Sequence, residues 1–169
     1  MAKVVGIGKQ RFDKIIENDC FYIDKTMFIK EWWENQDDVT LITRPRRFGK
    51  TLNMSMLNCF FSNKYADRGE LFEKLEIWKD GKYREIQGTY PVIFLSFANI
   101  KQNSYKGTII KIKKIICDEF QKYAFLKDWD GLTEVEKKHI RELDYDMSDE
   151  SAQEAINDLS NYLSRYYGK

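Results

Sequence analysis

The spacing of apolar positions divides the chain into a mixed front half and a helical back half. Across residues 105–126, Ile109, Ile112, Ile116, Phe120 and Tyr123 recur every three or four positions, which puts them on one face of a helix. Ala152, Ile156, Leu159, Leu163 and Tyr166 do the same in a final helix. Thr133 with Glu136 predicts a capping box for a helix over 134–143, and Ser151 with Glu154 predicts another. Nearer the start, Phe28, Ile29, Trp32 and Trp33 give residues 25–35 an apolar face, with Asp24 placed to cap it. Further helices are expected over 50–62 and, opened by Asp67, over 68–75; residues 1–23 read as an irregular arm with a short helix near 12–16. Two β-branched or aromatic runs, 39–43 and 92–97, break the helical period and read as buried strands. Strand and helix in alternation predict an α/β fold.

Composition narrows the function classes. Of 169 residues, 43% are hydrophobic and 15% aromatic, enough for a packed core and against disorder. The 28 Lys and Arg nearly balance the 27 Asp and Glu, so binding of nucleic acid by bulk positive charge is excluded and any anion site must be local. Cys20, Cys59 and Cys117 have no metal-site spacing and are odd in number, which fits apolar fillers in a reducing compartment. The N-terminus lacks a signal-peptide core, and the run 91–97 is far shorter than the ~20 residues that cross a bilayer. A cytoplasmic protein without a membrane partner is expected. There is no repeat and no linker, so residues 1–169 read as one unit: an arm over 1–23, strand, loop and helix over 39–62, and a helical part over 104–169.

The chemistry concentrates in Arg44-Pro45-Arg46-Arg47-Phe48-Gly49-Lys50-Thr51, between the first expected strand and a helix. Gly49-Lys50-Thr51 matches the second half of a phosphate-binding P-loop. A helix start offers backbone N–H groups and partial positive charge to phosphate oxygens. Gly49 lets the backbone approach closely, Lys50 reaches the β- and γ-phosphates, and the Thr51 hydroxyl suits Mg²⁺. The cofactor-binding candidates are thus Arg46, Arg47, Phe48, Gly49, Lys50, Thr51 and Leu52, with Lys50 the catalytic and Thr51 the metal candidate. Arg44 stands where the motif's first glycine belongs, and Pro45 is placed to set the turn instead. Arg44, Arg46 and Arg47 admit two readings, added phosphate or partner contacts and plainly solvated arginines.

The loop, together with Phe21-Tyr22-Ile23-Asp24-Lys25-Thr26, resembles the AAA-ATPase-like family of bacterial proteins. That family's loop commonly reads R-P-R-R-F-G-K-[ST], with arginine at the first position. Phe60-Phe61 and Glu70-Leu71-Phe72 also fit, and the resemblance covers most of residues 6–97. It implies an AAA-like P-loop NTPase fold that binds ATP and Mg²⁺. In the family a Walker B strand follows a helix like the last one here, and a PD-(D/E)XK nuclease-like domain often comes later. The resemblance therefore implies the N-terminal portion of an ATPase, incomplete at its C-terminal side and not hydrolysing ATP alone. It also implies unpaired strand edges that favour self-association, and nucleic acid as a partner through the later domain. Asp24 reads either as a helix cap or, from the family pattern, as a group near the nucleotide's base or ribose.

Other motifs have plainer readings. Ile115-Ile116-Cys117-Asp118-Glu119 imitates a Walker B strand, but Lys111, Lys113 and Lys114 sit immediately before it and the apolar residues fall at helical spacing, so an amphipathic helix is expected. His139, the single histidine, reads as solvated, and Trp32 and Trp33 as packing residues. A nucleotide-binding module without turnover, and a nucleic-acid module built on the arginines and the lysines at 111–114, stay open beside the ATPase reading.

Overall fold

The computed structural model describes residues 3–43, 45 and 47–169. The described residues form seven α-helices and four short 3₁₀ segments, and packing divides the chain into two compact units meeting between Val92 and Ile93.

The first unit contains α1 (Phe12–Glu17), α2 (Met27–Asn35), α3 (Lys50–Phe61) and α4 (Gly81–Ile86). Three 3₁₀ segments, Asn63–Tyr65, Gly69–Leu71 and Glu76–Lys79, join α3 to α4. Its core is aromatic: Phe12 stacks on Phe72 with ring centroids 5.0 Å apart, and Phe60 meets the edge of Phe72 at 5.2 Å. Each such ring contributes about 1.5–3 kcal/mol by leaving water. Trp32 and Trp33 pack on Phe61 at 5.3 and 5.6 Å, as the sequence suggests for packing residues. The short helix over 68–75 is instead a 3₁₀ turn over Gly69–Leu71 followed by irregular turns.

The second unit contains α5 (Tyr105–Gln121), a 3₁₀ segment (Ala124–Asp128), α6 (Glu134–Glu142) and α7 (Asp149–Tyr167). Ile116, Cys117 and Phe120 of α5 share one core with Leu159, Tyr162 and Leu163 of α7. The Thr133–Glu136 capping box forms in both directions at the start of α6. The second box does not: the N-cap of α7 is Ser148, whose Oγ accepts the Ser151 N–H at 3.1 Å. Starting the helix there places Asp149 and Glu150 in its first turn, where the helix dipole favours acids. The Nε2 of His139 is buried without a hydrogen-bond partner among the described residues, so this histidine is not simply solvated.

The expected α/β P-loop fold is not what forms. Among the described residues there is no sheet; the one β-bridge pairs Ser62 with Tyr90. Residues 39–43 and 91–97 have no regular secondary structure. A β-strand exists only within a ladder of paired N–H and C=O groups, and among the described residues neither run forms one. Val39 and Leu41 are 87% and 81% exposed, so the first run is not buried either. It is tied to α2 by a hydrogen bond from Trp32 Nε1 to Thr40 Oγ1 at 3.0 Å. In the second run, the Phe94 N–H turns to the carboxylate of Glu119 at 3.5 Å.

Candidate functional site

The turn leading into α3 is built by two residues in the left-handed region, Arg47 at φ 71° and Gly49 at φ 76°. For Gly49 this conformation has no steric cost; for Arg47 it costs about 1–2 kcal/mol. The Gly49 carbonyl accepts the Asn53 N–H at 2.9 Å, which starts the helical ladder. The N-cap residue, Gly49, has no side chain with which to cap this end. The amides of Thr51 and Leu52 precede that first ladder donor, the position where helices hold anions. α3 thus begins at Lys50, where the motif requires it, although among the described residues no strand precedes the turn.

The candidate residues fall as follows. Arg47, Phe48, Lys50 and Thr51 are exposed, while Gly49 and Leu52 are half-buried. Leu52 packs against the first unit's aromatic core and so fixes the first turn of α3 to the body of that unit. Arg44 and Arg46 lie outside the described residues.

The Asp24-Lys25-Thr26 box is a clasp. Asp24 does not cap a helix beginning at 25; α2 starts at Met27, with Thr26 at its N-cap. One Asp24 oxygen accepts the Thr26 N–H at 2.8 Å and the Thr26 hydroxyl at 2.7 Å. The other accepts the Glu76 N–H at 2.8 Å. Thr26, wholly buried, accepts the Ile77 N–H on its own Oγ1 at 3.2 Å. Burial works to raise the Asp24 pKa, but the Thr26 and Glu76 bonds outweigh it and hold the carboxyl below its ordinary range. Lys25, between these anchors, is exposed, and a Cβ at Gly49 would meet its Nζ at 3.9 Å. Sequence reasoning singled out this box only through a resemblance; its proximity to Gly49 has no signature in spacing.

The run 115–119 is helical, inside α5, as the lysine pattern predicts. Both its acids have structural partners: Asp118 accepts from the Tyr145 hydroxyl at 3.1 Å, and buried Glu119 pairs with Lys122 while holding the Phe94 N–H. Neither has the setting of a strand-borne metal-site acid.

A left-handed glycine at the start of α3, followed by lysine and threonine, is the local arrangement that the sequence motif calls for. The chain matches the AAA-ATPase-like family, described as "Predicted AAA-ATPase", over residues 6–169, and it belongs to that family. No curated protein and no solved structure matches it. No helix among the described residues is long and apolar enough to cross a membrane.

Proposed function

We propose that the chain binds Mg-ATP at the turn preceding α3 and that Lys50 is its principal phosphate ligand. The observation that carries this reading is Gly49 at φ 76°, opening a helix with no side-chain cap and with Lys50 and Thr51 in its first turn. The donor set fits the group. The amides of Thr51 and Leu52 suit phosphate oxygens, and the absent Cβ at Gly49 leaves room for their approach. Lys50 supplies a point charge for the terminal phosphates, and the Thr51 hydroxyl is a hard oxygen suited to Mg²⁺. A bound Mg²⁺, held by the Thr51 hydroxyl, would neutralise charge on the terminal phosphates. The exposed guanidinium of Arg47 adds positive charge beside the same turn.

Binding is proposed without turnover by this chain alone. Hydrolysis needs an acid to orient water or hold the metal. The two acids that imitate such a site, Asp118 and Glu119, are engaged by Tyr145, Lys122 and the Phe94 backbone.

Calorimetry with Mg-ATP tests the reading. Lys50→Ala is expected to weaken binding about tenfold or more, since a charge-assisted contact is worth about 1.5–3 kcal/mol. Equal affinity of the wild type and Lys50→Ala overturns the assignment.

A further inference from the structure

We propose that Lys25 is a second phosphate-binding cation of the turn at Gly49, held there by Asp24 and Thr26 as positioning residues. The inference rests on the reading of this turn as the nucleotide site and extends it to a residue far away in sequence.

The backbone on both sides of Lys25 is anchored to the 3₁₀ segment Glu76–Lys79. Asp24 takes the Glu76 N–H and Thr26 takes the Ile77 N–H. Asp24 also bonds the Thr26 amide and hydroxyl, so residues 24–26 form a closed loop of four hydrogen bonds. The Lys25 carbonyl accepts the Phe28 N–H at 3.0 Å, which joins the loop to the first turn of α2. The side chain of Lys25 leaves this rigid base as an exposed lever.

The ammonium ends over Gly49. Among the described residues beyond the chain neighbours of Gly49 and the backbone of α3, it is the group that a Cβ at position 49 would meet, at 3.9 Å. The carboxylate nearest in sequence, Asp24, has its oxygens engaged by the backbone of 26 and 76 and the Thr26 hydroxyl, and the ion pairs among the described residues do not include Lys25. An ammonium over Gly49, at the helix start that carries Lys50, is placed to meet a polyphosphate at this turn, and the clasp fixes the base from which it reaches. A polyphosphate that spans both lysines gains two charge-assisted contacts.

The test uses the whole chain and two probes, Mg-ATP and inorganic tripolyphosphate, titrated calorimetrically into wild type, Lys25→Gln, Lys25→Arg and Lys50→Ala. Lys25→Gln is expected to weaken both probes about tenfold, the effect of one charge-assisted contact, with Lys25→Arg recovering most of the loss. Asp24→Asn is expected to weaken both probes in the wild-type background and to add little to Lys25→Gln, because a positioning residue acts only through the group it positions. Unchanged far-ultraviolet circular dichroism confirms that the variants are folded. If Lys25→Gln binds both probes like wild type while Lys50→Ala loses them, Lys25 has no such role and the nucleotide site stands. If Asp24→Asn costs as much with glutamine at 25 as with lysine, the clasp does not act through Lys25 and its positioning role is overturned. If wild type binds neither probe, or Lys50→Ala is silent, the nucleotide reading falls and this inference with it.

Discussion

Gly88 is the position where backbone packing leaves least room, and Gly88→Ala measures how tightly the first unit is closed. Gly88 has φ 70°, and a Cβ there would lie 2.4 Å from the Ala66 Cα and 2.9 Å from the Ala66 amide nitrogen. These are backbone atoms and cannot rotate aside. Both strands of the contact are held: Gly88 N–H bonds the Phe60 carbonyl at 2.8 Å, Tyr90 N–H the Phe61 carbonyl at 2.9 Å, and Asn63 N–H the Tyr90 carbonyl at 2.8 Å. The Gln87 side chain also reaches the Tyr65 carbonyl at 2.7 Å. Opening the contact by about 1 Å sacrifices one or two of these bonds, at about 1–3 kcal/mol each where the groups are buried. The left-handed backbone adds about 1–2 kcal/mol for any residue with a Cβ. Alanine recovers about 0.4–1 kcal/mol by restricting the unfolded chain. The expected net loss is about 3–5 kcal/mol, or a fall in Tm of roughly 10 °C at this chain length.

Gly49→Ala is the internal control. Its φ of 76° imposes the same torsional strain, but among the described residues beyond its chain neighbours its Cβ would meet the Lys25 ammonium alone, at an ordinary 3.9 Å. Its expected loss is about 1 kcal/mol. Urea titration followed by tryptophan fluorescence separates the two, since Trp33 lies against Phe61 and Tyr90 at 5.6 and 5.4 Å and reports on this region. Equal shifts of midpoint for Gly88→Ala and Gly49→Ala would refute the reasoning, because strain without collision would then account for both.

Acid sensitivity is expected from two carboxylates. Lys14 and Arg68 lower the Glu17 pKa to about 2, and Arg165 with the Thr133 cap lowers Glu136 to about 2. The folded state favours both charged forms, so their contribution is complete above the ordinary value of 4.5 and is lost as pH falls from there toward about 2. Glu136→Gln should therefore flatten the loss of stability between pH 5 and pH 2 in denaturant titrations; an unchanged slope would contradict it. Burial raises the thiols of Cys59 and Cys117 to about 11, and all three cysteines are buried. A thiol reagent at pH 8 should label the native chain slowly and all three positions quickly in urea, and rapid native labelling of Cys59 or Cys117 would count against the packing described.

Local signals were legible in the sequence. The apolar period of α5, the capping box of α6 and the start of α3 at Gly49-Lys50 each depend on residues within about one or two helical turns of one another. The candidate site was legible to the same extent: glycine, lysine and threonine stand at a helix start because the turn chemistry is local. The family membership was legible as well, through the loop and the Asp-Lys-Thr box.

The α/β fold was misjudged because β-branched residues at 39–43 and 92–97 state only a preference for a pleated surface. A sheet requires a partner strand, and whether one is present is not written in the run itself. The same limit applied to α7, where the box at Ser151 and Glu154 was expected and the helix instead opens one turn earlier at Ser148, in a unit whose core joins α7 to α5. By itself the sequence determined the long helices, the cap of α6 and the glycine-lysine-threonine start of α3. Tertiary structure alone decided that Asp24 bonds Glu76, that Ala66 presses on Gly88 and that Lys25 stands over Gly49. Each of these joins residues more than twenty positions apart. Such pairs meet only after the aromatic core has closed, and no periodicity of a single segment encodes them.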